Sequence, residues 1–166
     1  EFVLGCNRPT ILAEGGFERL SEIAKLKFTD LRGGERAYLS ANEVACLSIP
    51  RGSLSSDERR EIESHVVHTY RFLSQIPWTR ELKRIPEIAY AHHEKLDGRG
   101  YPRSIPAAQI PLESRMMTVA DIFDALTASD RPYKKAVPVE KALDILGFEA
   151  KQGQVDAALF KVFVES

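Results

Sequence analysis

The segment Leu96–Pro111 (LDGRGYPRSIPAAQIP) constrains the fold most, because it is too rich in glycine and proline to be helix or strand and yet has helical runs on both sides. Before it, Ser55-x-x-Glu58 is a capping box, followed by Ile62, Val66, Thr69/Tyr70 and Leu73 at helical spacing up to Pro77. A second run, Ile85–His93, places Ile85, Ile88, Ala89 and His92 on one face. After the loop a third helix is expected over Leu112–Ser129, stopping before Arg131-Pro132. A fourth starts at Pro138 and runs to about Leu146, and a last covers about Val155–Val164. No segment shows strand-like alternation. The expected fold is all-α, a helical bundle around a Gly/Pro-rich loop.

At 166 residues the chain suits one domain with a real core rather than two. The expected division is an N-terminal helical segment over 1–50, a linker or the remnant of an upstream part, and a helical domain over 51–166. In the first part Phe17–Lys27 and Ser40–Leu47 look helical, the latter capped by Ser40 with Glu43 three residues on, and Gly33-Gly34 separates them. That part has no histidine. The chain opens Glu1-Phe2 without methionine, so a trimmed piece of a longer protein is expected. A net charge of -1 provides no global positive field for DNA, and any polyanion needs a local basic cluster. Cys6 and Cys46 lie far apart and read as reduced thiols, the habit of a cytoplasmic protein. No apolar run approaches membrane-spanning length.

Chemistry concentrates between His65 and Lys134, where a phosphate- or metal-binding pocket is expected. In MMTVADIFDALTAS the only charged side chains are Asp121 and Asp124, so this helix is predicted to be buried on nearly every side. A buried carboxylate must be paired, hydrogen-bonded or metal-bound. For Asp124 capping or pairing with arginine suffices; for Asp121 a metal or catalytic role is expected. His92 continues the apolar stripe of its helix, and His93 lies about 100° round. One packed and one exposed histidine is the plainer alternative for such a pair. His65 flanks the Ile62/Val66/Leu73 stripe and is expected to face inward, whereas His68 points away and is expected to be exposed. Three imidazoles and a carboxylate without thiolates suit Fe, Mn, Zn or Ni better than Ca or Mg, and such sites usually keep a position open for water.

In the loop, Gly98 and Gly100 would let backbone amides approach a ligand closely, and Pro102 would stiffen the turn. Tyr101 could stack on a base or hydrogen-bond a phosphate; a plain turn is the alternative. Arg131-Pro132-Tyr133-Lys134-Lys135 sets an arginine fork and lysine charges after the third helix, suited to a phosphodiester, although a solvated charge run would look the same.

Together these residues resemble the HD-GYP family, a branch of the HD superfamily of metal-dependent phosphohydrolases. The matching pieces are Gly52-Ser53-Leu54 with Glu58 and His65, HHEKLDGRGYP from His92 to Pro102, Ile110-Pro111, Arg115, and VADIFDALTASDRPYKKA from Val119 to Ala136. The resemblance spans about residues 50–146. It implies an HD-domain-like helical bundle that binds two or three metals, often iron or manganese, and hydrolyses cyclic di-GMP to pGpG or GMP. It makes His65, His92, His93 and Asp121 metal ligands, and Tyr101, Arg131 and Lys134 dinucleotide contacts. It also implies docking of diguanylate-cyclase (GGDEF) partners at Gly100-Tyr101-Pro102 and an upstream sensory domain. The family's His-Asp pair and following Gly-Lys are expected about twenty-nine residues before His65, on a helix ahead of Gly52, where Arg36-Ala37 stands; no His-Asp dipeptide occurs in the chain. One metal rather than two, or none, is the expectation. Three readings follow: a cyclic di-GMP phosphodiesterase impaired by that loss, an inactive nucleotide-binding or protein-interaction module, and an enzyme for another phosphoester. A homodimer through the N-terminal helices is the expected assembly.

Overall fold

Two serine–glutamate boxes start helices where the sequence pattern places them. Ser40 and Glu43 cap α3 (Ala41–Leu47) reciprocally, and Ser55 and Glu58 do the same for α4 (Ser56–Leu73). The Ser55 amide and hydroxyl hold the Glu58 carboxyl below its usual range. The structure, a computed structural model, describes residues 1–6, 15–49, 52, 54–129 and 136–165. These form two compact units, Glu1–Ile62 and Glu63–Ser166. Pro50, Arg51 and Ser53, beside the boundary expected near 50, lie outside the described residues.

The first unit holds α1 (Phe2–Cys6), α2 (Gly16–Lys25), a hairpin of β1 (Lys27–Thr29) and β2 (Glu35–Ala37), and α3. The helix expected to run to Lys27 stops two residues short, because Lys27 enters β1. The hairpin pairs Lys27 with Ala37, Phe28 with Arg36 and Thr29 with Glu35. Its turn is set by Asp30, whose Oδ1 accepts from the Arg32 and Gly34 amides at 2.9 Å each, and by Gly33 at φ 79°. Three-residue strands are too short to show alternation, which is why no strand is legible by period. The Asp30…Gly33-Gly34 turn chemistry was the available signal. Arg36-Ala37, assigned by offset to a helix, therefore lies on an exposed strand. Leu20 is wholly buried, whereas Phe17, Leu26, Leu31 and Tyr38 are exposed.

The second unit is helical and positions the site. After α4 come α5 (Ile85–Tyr90), a loop with one 3-10 turn at Ala107–Gln109, α6 (Leu112–Thr127), α7 (Val139–Lys151) and α8 (Ala157–Glu165). Helices α6, α7 and α8 pack against one another. Their core is Val119, Ala142, Leu146 and Val155, all nearly or wholly buried, with the Phe123 and Phe163 rings edge to face at 5.2 Å. Tyr70 of α4 stacks on Tyr90 of α5 at 4.3 Å. The all-α architecture stands, with the small hairpin added. None of the helices in the described residues is long and apolar enough to cross a membrane.

Candidate metal centre

Three histidines converge. His65 comes from α4, one residue before the wholly buried Val66. His92 and His93 do not continue α5, which ends at Tyr90; they follow it as a turn pinned by the wholly buried Ala91. The ring centroids of His92 and His93 are 4.0 Å apart, those of His65 and His93 5.2 Å, and those of His65 and His92 6.0 Å. One donor atom from each ring lies within 4.8 Å of the others. His65 is exposed rather than inward-facing, so the cluster opens to solvent, and His68 is exposed as expected.

The turn is held from both sides. The Nδ1 of His92 lies 2.6 Å from the Ala89 carbonyl, which can only accept; Nδ1 therefore carries the proton and Nε2 the lone pair. From α6, the buried Thr118 hydroxyl approaches the His92 carbonyl at 2.6 Å and the Ser114 carbonyl at 2.9 Å, sharing one proton. Ser114, also buried, donates to the Ile88 carbonyl at 2.9 Å. Small polar residues four apart on α6 thus satisfy carbonyls at the end of α5. Sequence reasoning passed over both, although polar residues within an apolar helix were the visible signal.

Burial, aided by the neighbouring His92 and His65, brings His93 down to about 4, against the opposing pull of Asp121. At neutral pH His93 is an uncharged imidazole, the form that ligates metal. Its Nδ1 lies 3.7 Å from Asp121 Oδ2, too far for a hydrogen bond. Asp121 itself corrects an expectation: its side chain is 47% exposed, not buried. Helix α6 buries Ser114, Thr118 and Val119 while Met116 and Met117 are exposed, so its composition misjudged which face is covered. Asp124 is exposed too.

The loop that follows is built around Glu94, a residue 2% exposed whose carboxylate accepts the Arg103 and Ile105 amides. Tyr101 donates its amide to the His93 carbonyl at 3.2 Å, and its ring lies 4.7 Å from that of His93. Burial, with Glu63 and Asp121 nearby, pushes the Tyr101 phenol up to about 12, so it stays a proton donor. Both glycines have a local structural reason. Gly98 turns at φ 74°, and a Cβ on buried Gly100 would collide with the Lys95 amide and Glu94. Pro102 follows through a cis peptide bond. Arg115 closes the loop's far end, donating to Ile110 and Ala107 carbonyls and to Asp156 at the start of α8. Arg131 and Lys134 lie outside the described residues.

The donor set fits a divalent transition metal. Metal–imidazole bonds of about 2.0–2.1 Å need donors roughly 3 Å apart, and one donor atom from each ring lies within 4.8 Å of the others. A cavity of about 660 Å³ between α7 and α8, lined by Leu143, Gly147 and Phe160 among others, includes none of these histidines.

The family described as HD domain matches residues 41–159, starting at the first residue of α3 and so after Arg36-Ala37. Among curated proteins the chain is 44% identical over 95 residues to 3'3'-cGAMP-specific phosphodiesterase 3 of Vibrio cholerae, covering 57% of this chain and 20% of that protein. It is 41% identical over 95 residues to the cyclic di-GMP phosphodiesterase response regulator RpfG of Xanthomonas campestris, covering 57% and 25%. It is 40% identical over 91 residues to a cyclic di-GMP phosphodiesterase of Thermotoga maritima, covering 55% and 24%. The aligned part is thus a quarter or less of each of these relatives.

Proposed function

The chain belongs to the HD-domain family, in its HD-GYP branch, and on that premise we propose that residues 51–166 are a metal-dependent phosphodiesterase domain for a cyclic dinucleotide of the cyclic di-GMP or 3'3'-cGAMP type. The observation that carries this reading is the meeting of His65, His92 and His93 beside Tyr101. Those histidines would hold one divalent metal (Fe, Mn, Zn or Ni), with Asp121 as the acidic group of the site, and residues 1–50 would link to an input domain. When bound, the metal supplies Lewis-acid polarisation of the scissile phosphoryl group and charge neutralisation.

The protein's part is to bind and orient. Tyr101, held protonated, donates a hydrogen bond to a phosphate oxygen or stacks on a base. Arg131 and Lys134 supply positive charge to the dinucleotide. His92 would offer Nε2 to a bound metal, because Nδ1 is committed to the Ala89 carbonyl. The GYP turn and the N-terminal helices are further proposed as contacts for GGDEF partners and a homodimer.

A second reading, capture of the nucleotide without turnover, draws on the lack of any His-Asp dipeptide in the chain. The deciding experiment incubates Mn²⁺- or Fe²⁺-loaded protein with cyclic di-GMP and 3'3'-cGAMP, with His92→Ala as control. Linear product from the wild type alone supports hydrolysis. Binding without product establishes the second reading. Neither binding nor product with either nucleotide removes both.

A further inference from the structure

A buried carboxylate persists only if its oxygens are satisfied. Glu94 is 2% exposed, and main-chain amides from the far side of the loop satisfy it, Arg103 N to Oε1 at 2.8 Å and Ile105 N to Oε2 at 3.2 Å. Between these donors lies Ser104, at φ 50°, whose hydroxyl donates to the Gly100 carbonyl at 2.8 Å. Gly100 in turn rests on the backbone of Glu94 so closely that no Cβ fits. Glu94 therefore supports the loop twice, beneath Gly100 with its main chain and around residues 103–105 with its side chain. Tyr101 and Pro102 lie between those two supports, and His93, whose ring faces Tyr101 at 4.7 Å, directly precedes Glu94.

We infer that Glu94 is a positioning residue: its two-oxygen grip on Arg103 and Ile105 holds Tyr101 against the histidine cluster and thereby sets capture of the cyclic dinucleotide. The inference rests on the cyclic-dinucleotide reading of this site. A carboxylate suits the task because it offers an acceptor to each amide. A glutamine keeps the shape but turns its NH₂ toward one of them, so one hydrogen bond is lost. Aspartate is one methylene too short to reach both.

The test uses the whole chain loaded with Mn²⁺ and compares wild type, Glu94→Gln, Tyr101→Ala and the double variant. Hydrogen exchange of a peptide covering residues 99–106 should quicken about tenfold in Glu94→Gln, the consequence of a lost buried hydrogen bond. The Kd for cyclic di-GMP should rise about tenfold while the Kd for Mn²⁺ stays within roughly threefold. In the Tyr101→Ala background the Glu94→Gln effect on the nucleotide should vanish, because a residue that acts only through Tyr101 has nothing left to position. Gly100→Ala disturbs the loop from its other face with Glu94 intact, and should show the same split if Glu94→Gln does not fold. Additive effects of Glu94→Gln and Tyr101→Ala, or equal losses of nucleotide and Mn²⁺ affinity, would overturn the inference. Unchanged exchange in Glu94→Gln would overturn the clamp while leaving the site's function standing. A wild type that binds no cyclic di-GMP would instead overturn the functional reading, and the inferred role in capture with it.

Discussion

The Thr118 hydroxyl lies 2.6 Å from the main-chain carbonyl of His92, so the helix that closes the core also fixes the turn that presents two of the three imidazoles. Core stability and site geometry are therefore coupled through one buried side chain. Thr118→Val keeps shape and branching but deletes the hydroxyl donor to the His92 carbonyl, at a cost of about 1–2 kcal/mol, while the Ser114 carbonyl keeps its helical amide. Urea unfolding should show that loss, and metal affinity should fall with it, since the His92 backbone is no longer anchored. Unchanged affinity would mean that the turn holds itself.

Arg115 joins the loop to α8 through the Ala107 and Ile110 carbonyls and Asp156, with its side chain 24% exposed. Replacing it with methionine keeps the aliphatic stem but removes the charge-assisted donors, a loss of about 2 kcal/mol. For a chain of this size that corresponds to a Tm lower by roughly 4–8 °C by calorimetry. A shift below 1 °C would show that water replaces the guanidinium at no cost.

Acid should destabilise the apo protein through His93. Its value falls from 6.5 to about 4 on folding, mainly by burial. Between those values the unfolded chain binds the proton and the folded chain does not. The contribution is thus fully present above pH 6.5 and is lost progressively as pH falls to about 4. Its size is about 3 kcal/mol. His93→Gln should flatten this part of the stability–pH curve; a variant curve parallel to the wild type's between pH 4 and 6.5 would contradict the assignment.

Bound metal should stabilise the fold by mass action, because its ligands come from separate elements that only folding brings together. At a hundredfold excess over Kd the gain is about 2.7 kcal/mol, and chelator should reverse it. His68→Ala, a change at an exposed histidine, should keep the effect, whereas His65→Ala should remove it.

Much of this architecture was readable from residues alone, for local reasons. Both serine–glutamate boxes announce their helices because capping is a four-residue matter. The Leu96–Pro111 loop follows equally from glycine and proline. What failed was non-local. Asp121 seemed buried because α6 is apolar all round, yet the buried side of α6 is the one that carries Ser114, Thr118 and Val119, with Ser114 and Thr118 turned to the Ile88 and His92 carbonyls, and Asp121 lies off it. The end of α5 at Tyr90 depends on Ala91 being buried and on carbonyls satisfied from α6, some 26 residues away. The role of Glu94 depends on amides nine and eleven residues ahead in a loop without period. Spacing could bring the histidines to one region; only the packed loop shows what keeps them there.

The most direct test is the metal content of the chain after reconstitution with Mn²⁺, Fe²⁺ or Zn²⁺ and removal of excess, measured by inductively coupled plasma mass spectrometry. The three-imidazole site predicts one ion per chain in the wild type and none in the His65→Ala/His92→Ala/His93→Ala variant. A wild type that retains no ion, or a triple variant that keeps its full complement, would contradict it.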